Sequence, residues 1–207
     1  MPPLLTAFLQ ARFFASAAKV EDIPPEAGPE IAFAGRSNVG KSSAINALAN
    51  RKRLAFASRT PGRTRTINFF DLGPEGRLVD LPGYGYASAP RAVRATWDRL
   101  VGGYLAGRNH LAGVAVLIDV RHPFAPGDRN FLEWLRPVVA PRLVLLSKSD
   151  KLSRTERAGA LALARRSLED AAIVAEVVTF SARTREGVDE VRELLRCCLR
   201  DAALGPK

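Results

Sequence analysis

The octapeptide Gly35-Arg36-Ser37-Asn38-Val39-Gly40-Lys41-Ser42 constrains this chain more than any other segment, because it is G-x-x-x-x-G-K-S set between an apolar strand and a helix. The strand is read from Ile31-Ala32-Phe33-Ala34 and the helix from residues 40–50, so the context that gives the pattern meaning is present on both sides. Glycines at 35 and 40 let the backbone turn tightly enough for consecutive N–H groups to point at phosphate oxygens. Lys41 adds a point charge for the β- and γ-phosphates, and the Ser42 hydroxyl suits Mg²⁺. The N-terminus of the following helix attracts the same anion.

The base is read farther along. Ser147-Lys148-Ser149-Asp150 follows the apolar run Leu143-Val144-Leu145-Leu146, at the carboxyl end of a predicted strand, where α/β sheets bind ligands. A carboxylate there accepts from guanine N1–H and the 2-amino group together, whereas adenine offers neither donor. GTP is therefore expected over ATP, which argues against a P-loop kinase or ATPase. Between the two motifs, Asp80-Leu81-Pro82-Gly83 follows Leu78-Val79 and supplies a carboxylate for the Mg²⁺ shell and a glycine N–H for the γ-phosphate.

These motifs, with Thr60-Pro61-Gly62-Arg63-Thr64, Ile67-Asn68-Phe69-Phe70 and Asp80-Leu81-Pro82-Gly83-Tyr84-Gly85-Tyr86-Ala87, resemble the EngB (YihA/YsxC) GTPases from about Phe13 to Leu199. The resemblance implies a cytoplasmic, monomeric GTPase that binds GTP/GDP with Mg²⁺. It also implies a role in assembling the large (50S) ribosomal subunit, with rRNA as partner and normal growth and septation as the outcome. Mg²⁺ would be held by Ser42, Thr64 and Asp80, and the switch segment Gly62, Arg63, Thr64, Arg65 and Thr66 would join the nucleotide site. The last guanine element would be Phe180, Ser181 and Ala182, acting through backbone N–H groups. Against the family's usual Asn/Thr-Lys-x-Asp, Ser147 stands first here, which predicts the loss of a contact supporting the phosphate loop.

For hydrolysis the catalytic candidates are Lys41, Thr64 and Asn38. Tyr84 stands where Ras-like GTPases place a water-orienting Gln, so slow intrinsic hydrolysis is expected. Asn38 occupies the position that in related GTPases helps bind K⁺, and by resemblance a monovalent cation or the ribosome completes the site.

Strand and helix patterns alternate after residue 67, giving an α/β, three-layer P-loop NTPase of the Ras-like G-domain type. Six strands are expected, mostly parallel, with one antiparallel edge hairpin turning through Gly73-Pro74-Glu75-Gly76. Helices are expected at 40–50, 89–106, 128–136, 153–169 and 187–200, the last with Val188, Val191, Leu194, Leu195 and Leu199 on one face. The predicted organisation is an N-terminal segment and linker (1–28) packing on the domain, a G domain (29–200) and a short tail (201–207).

No apolar stretch reaches the ~18 residues of a membrane span. The only cysteines, Cys197 and Cys198, are adjacent on a predicted helix and are read as reduced and packed. The first twenty residues carry Arg12 and Lys19 and no acid, a composition shared with transit peptides, but Phe13-Phe14-Ala15-Ser16-Ala17 resembles a segment that belongs to the family's folded domain.

The net charge is +10, and residues 51–70 hold Arg51, Lys52, Arg53, Arg59, Arg63 and Arg65 without an acid, which favours a polyanionic partner. Arg91, Arg94 and Arg99 around Trp97 would extend that surface. A GTP-dependent switch in cell division or at the membrane, with no ribosomal contact, is the competing reading.

Overall fold

The computed structural model describes residues 3–56, 66–85 and 91–205, with side chains from residue 7 in the first segment and from residue 95 in the last. Seven strands form one sheet: β1 (Arg12–Ala17), β2 (Glu30–Gly35), β3 (Ile67–Asp71), β4 (Arg77–Asp80), β5 (Leu111–Asp119), β6 (Arg142–Ser147) and β7 (Glu176–Phe180). Their order is β1-β3-β4-β2-β5-β6-β7. Helices are α1 (Pro3–Gln10), α2 (Lys41–Leu48), α3 (Arg91–Ala106), α4 (Pro126–Trp134), α5 (Arg154–Asp170) and α6 (Val188–Ala203).

From β4 to β7 the neighbours β4/β2, β2/β5, β5/β6 and β6/β7 all pair in parallel. Parallel strands need crossovers that place helices on both faces, so a central strand must be apolar on both sides. β2 meets that demand, being buried at every position. On one face Phe33, Leu117 and Leu145 pack with Phe8 of α1, Ile45 and Leu48 of α2, and Val191, Leu195 and Leu199 of α6. On the other, Ala32, Val79, Val116 and Val144 pack with Leu100 and Tyr104 of α3, Phe131 of α4 and Leu168 of α5. The start of α5 is sealed by a capping box: the Ser153 hydroxyl accepts from Glu156 N at 3.3 Å, and Glu156 accepts from Ser153 N at 2.7 Å.

At the amino end of β2 the fully buried Glu30 accepts from the Tyr104 hydroxyl at 3.0 Å, and Arg108 lies 3.1 Å away. The two arginines around it, Arg77 and Arg108, also donate to the carbonyls of Pro25 and Pro24 at 2.8 and 2.7 Å. The polar cluster thus straps the extended linker to the sheet, on the side away from the phosphate loop.

The layered α/β class is as expected, but the sheet has seven strands rather than six. The additional strand is β1, antiparallel to β3 from Arg12↔Asp71 to Ala17↔Ile67, with a bulge between Phe13 and Ala15. The β3/β4 hairpin therefore lies inside the sheet and β1 forms its edge. The run Arg12–Ala17 has Phe13 and Phe14 but no β-branched residue and no apolar alternation, so its strand signal is weak, and it is paired by contact with β3. Among the described helices, none is long and apolar enough to cross a membrane.

Candidate nucleotide site

The segments that carry the motifs converge at the carboxyl ends of β2, β4, β6 and β7. Gly40 caps α2 at φ 108°, a left-handed backbone that a side chain disfavours. The loop after β4 lies directly against the phosphate loop: Ser37 N donates to Tyr84 O at 3.3 Å, and Tyr84 N donates to Gly35 O at 3.2 Å. A Cβ on Gly83 would come within 2.8 Å of Ser37 Oγ and 3.0 Å of Ser37 N, so only glycine permits this approach. Lys41 Nζ forms a short ion pair with Asp80, and Ser42 Oγ lies 3.4 Å from the other Asp80 oxygen. Asp80 itself is 2% exposed.

The base side is joined to this phosphate side by two hydrogen bonds. Lys148, at φ 63°, donates from Nζ to Asn38 O at 2.9 Å and to Asp119 at 3.0 Å. Ser147 Oγ is 2.9 Å from Val39 O and 3.2 Å from Ile118 O. The expected loss of the phosphate-loop contact at Ser147 is thus corrected: the hydroxyl reaches Val39. A hydroxyl carries one proton, so it donates to one of the two carbonyls at a time.

Asp150 follows on a short 3-10 turn, and its Oδ1 accepts from Ser181 Oγ at 2.7 Å. Asp150 Oδ2 is buried with no hydrogen-bond donor. Ser181 also accepts from Arg183 N and Thr184 N at 3.2 Å each, which shapes the loop after β7. The Ser181 hydroxyl, aided by Lys151 and Arg183, holds the Asp150 carboxyl below the ordinary carboxylate value. Ser149 is buried and turned to Glu186, at 2.8 Å, and Phe180 is a core residue. Ala182 packs partly against the same core.

The buried Asp150 oxygen, which has no hydrogen-bond donor although Arg183 and Lys151 lie 3.7 and 4.0 Å away, and the paired Ser42 and Asp80 fit a guanine nucleotide and its divalent cation, respectively. Arg36 and Asn38 are exposed on the phosphate loop, Asn38 at φ 63°. Leu81 is core, and the carbonyl of Pro82 accepts from Trp97 Nε1 at 2.9 Å. Thr66 is turned to Asn68 Oδ1 at 3.3 Å. Gly62, Arg63, Thr64 and Arg65 lie outside the described residues, as do Tyr86 and the side chains of Arg91 and Arg94.

Two acids with no counterpart in the motifs, Asp128 and Asp119, belong to this neighbourhood. Tyr84 is 7% exposed, stacks on Phe131 at 4.3 Å and donates from its hydroxyl to Asp128 at 3.0 Å. It is therefore packed into α4 instead of facing a reacting phosphate. Asp119, at the end of β5, is engaged by Lys148 and by Arg121 at 2.7 Å. Burial opposes its ionisation, but the bonds from Arg121 and Lys148 prevail and hold its carboxyl well below the usual range. An acid at a strand end facing Lys148 was the available sequence signal for Asp119; Asp128 had none, since nothing in its local sequence points to Tyr84.

A family model described as 50S ribosome-binding GTPase matches residues 30–148. The probable GTP-binding protein EngB of Burkholderia thailandensis is 48% identical over 208 residues, covering 95% of each chain. Its counterpart in Burkholderia cenocepacia is 47% identical over 212 residues and 97% of each. The crystal structure of a probable GTP-binding protein engB shares the fold, with a TM-score of 0.63 at 24% identity over 83% of this chain and 99% of that one. A matched family model together with 48% identity along almost the whole of both chains places this chain in the 50S ribosome-binding GTPase family, and within it among the EngB GTPases.

Proposed function

We propose that this GTPase takes up Mg²⁺·GTP and works in the cytoplasm, as a monomer, as a switch in assembly of the large ribosomal subunit that growth and septation depend on. The observation that carries the nucleotide half is the pairing of two ends of one site: Lys41, Ser42 and Asp80 on the phosphate side, and Asp150 with a buried oxygen that has no hydrogen-bond donor on the base side. Ser42 and Asp80 would hold Mg²⁺, with Thr64 joining them from the switch segment. Bound there, the ion neutralises phosphate charge. Lys41 would bind the β- and γ-phosphates, and Asp150 would accept from the guanine edge.

With Tyr84 bonded to Asp128, this chain lacks a water-orienting side chain at that position, which supports slow intrinsic hydrolysis. K⁺ at Asn38 or the ribosome itself would then supply the missing stabilisation. The ribosomal half rests on charge: +10 overall, with Arg51, Lys52 and Arg53 all exposed just after α2.

Two experiments test these halves separately. Asp150→Asn replaces an acceptor by a donor facing guanine N1–H, so preference should move from GTP to xanthosine triphosphate in a competition titration; unchanged GTP affinity removes Asp150 from the base site. Neutralising Arg51, Lys52 and Arg53 together should weaken co-sedimentation with 50S precursors and flatten its log–log salt dependence by up to roughly three units, GTP affinity being kept. Identical salt slopes for the variant and the natural chain would leave these charges as a solvated face and favour the division or membrane reading.

A further inference from the structure

We propose that Phe56, with Arg51, Lys52, Arg53 and Arg185, forms a seat for single-stranded RNA beside the guanine-side loop. This rests on the ribosomal reading above and names the form in which the RNA is taken.

Phe56 is 80% exposed, yet its support is rigid. The two residues before it, Leu54 and Ala55, are 7% and 3% exposed. One amide side chain pins both: Asn46 Oδ1 accepts from Leu54 N at 2.9 Å and Ala55 N at 2.8 Å, and Asn46 Nδ2 donates to Ala55 O at 2.8 Å. A lone exposed apolar residue is ordinary on a protein surface. An aromatic ring projected from a clamped backbone differs, because most of the ordering cost of a contact is already met in the free protein.

The segment that carries the ring is cationic. Arg51, Lys52 and Arg53 are exposed in the same short segment. Asn50, at φ 51°, accepts from Arg185 Nη1 at 3.1 Å, and Arg185 itself has φ 66°, so two left-handed residues join this segment to the loop after β7. Two acids of the adjoining loop and α6 are engaged by cations. Glu186 is bonded by Arg157 at 2.6 Å and by Ser149, and Asp189 pairs with Arg192 at 2.9 Å.

An exposed ring among several cations matches a ligand that carries both phosphates and accessible π-faces. In single-stranded RNA the bases can leave the stack and lie on an aromatic side chain while phosphates meet Arg and Lys. A duplex offers phosphates and groove edges but keeps the π-faces of its bases stacked within it. The patch therefore commits to a single strand.

The test uses the full chain loaded with a nonhydrolysable GTP analogue. Fluorescence anisotropy would follow a labelled single-stranded RNA of mixed sequence, and the same RNA annealed to its complement, at several salt concentrations. The single strand should bind more tightly than the duplex. Phe56→Ala should weaken single-strand binding by roughly ten-fold without changing the salt slope, and Phe56→Tyr, which keeps the ring, should restore it. Arg185→Asn, a residue type that tolerates the left-handed backbone, should lower the slope by about 0.7 with GTP affinity kept. Equal affinity for single strand and duplex, or an unaffected Phe56→Ala, overturns the proposal. If that happens while neutralising Arg51, Lys52 and Arg53 still abolishes particle binding, the ribosomal reading stands and only this one falls; binding of neither RNA nor particles by the natural chain sinks both.

Discussion

Asp150, the acid proposed to read the guanine edge, shows how a single hydroxyl can shift the ionisation of a carboxyl. The Ser181 hydroxyl is the main reason its carboxyl ionises more readily than usual. A carboxyl whose folded value is lowered contributes above its ordinary value and loses that contribution as pH falls through the lowered one. Ser181→Ala should raise that value, so GTP binding should fail at a higher pH in the variant than in the natural chain. Titration of a fluorescent GTP analogue from pH 7 down to about 3 checks this. A uniform loss at every pH would instead mean that the variant only loosens the loop that Arg183 and Thr184 close onto Ser181. The proposal of Asp150 as the guanine-side acid was legible in Ser-Lys-Ser-Asp at a strand end. The Ser181 bond was not, because 31 residues separate the two and only the packing of β6 beside β7 brings them together.

At the scale of elements, α6 and α1 make a useful contrast. The apolar positions of α6 recur at helical spacing over 16 residues, so its buried face was readable in advance. The segment of α1 is only 8 residues long and apolar along most of its length, which leaves no period to read. Its place is settled by Phe8, 1% exposed in the core it shares with α6. Phe8→Ala should cost about 3 kcal/mol or more of stability in urea unfolding and leave GTP affinity essentially unchanged. A negligible loss would show that α1 rests on the domain without being part of its core. β1 belongs with α1 in this respect: its pairing comes from the exposed edge of β3, an asset no local sequence records.

Across the whole molecule, the loop after β4 is fastened to the second helical layer at two points, Trp97 to the Pro82 carbonyl and Tyr84 to Asp128. Burial pushes the Asp128 carboxyl above the usual value, against the lowering pull of the Tyr84 bond and the Arg36 charge. With a raised folded value, the stabilising contribution belongs to the protonated form, is complete below the ordinary value and is lost as pH rises through the folded one. At neutral pH the buried carboxylate is therefore a cost. Asp128→Asn keeps an acceptor for Tyr84 and should be at least as stable as the natural chain at pH 7, its advantage shrinking towards pH 4, as thermal unfolding across pH would read. A variant that melts lower at pH 7 would show that the charge itself holds the loop. By itself the sequence determined the α/β class, the strand that feeds the phosphate loop, the order of the nucleotide motifs and the basic surface, because each rests on neighbouring residues and short periods. The seventh strand, the packing of Tyr84 into α4, the reach of Ser147 to Val39 and the Arg185 bond to Asn50 were decided by tertiary structure alone. Each joins residues far apart in the chain, and such contacts come from the packing of strands and helices around the sheet.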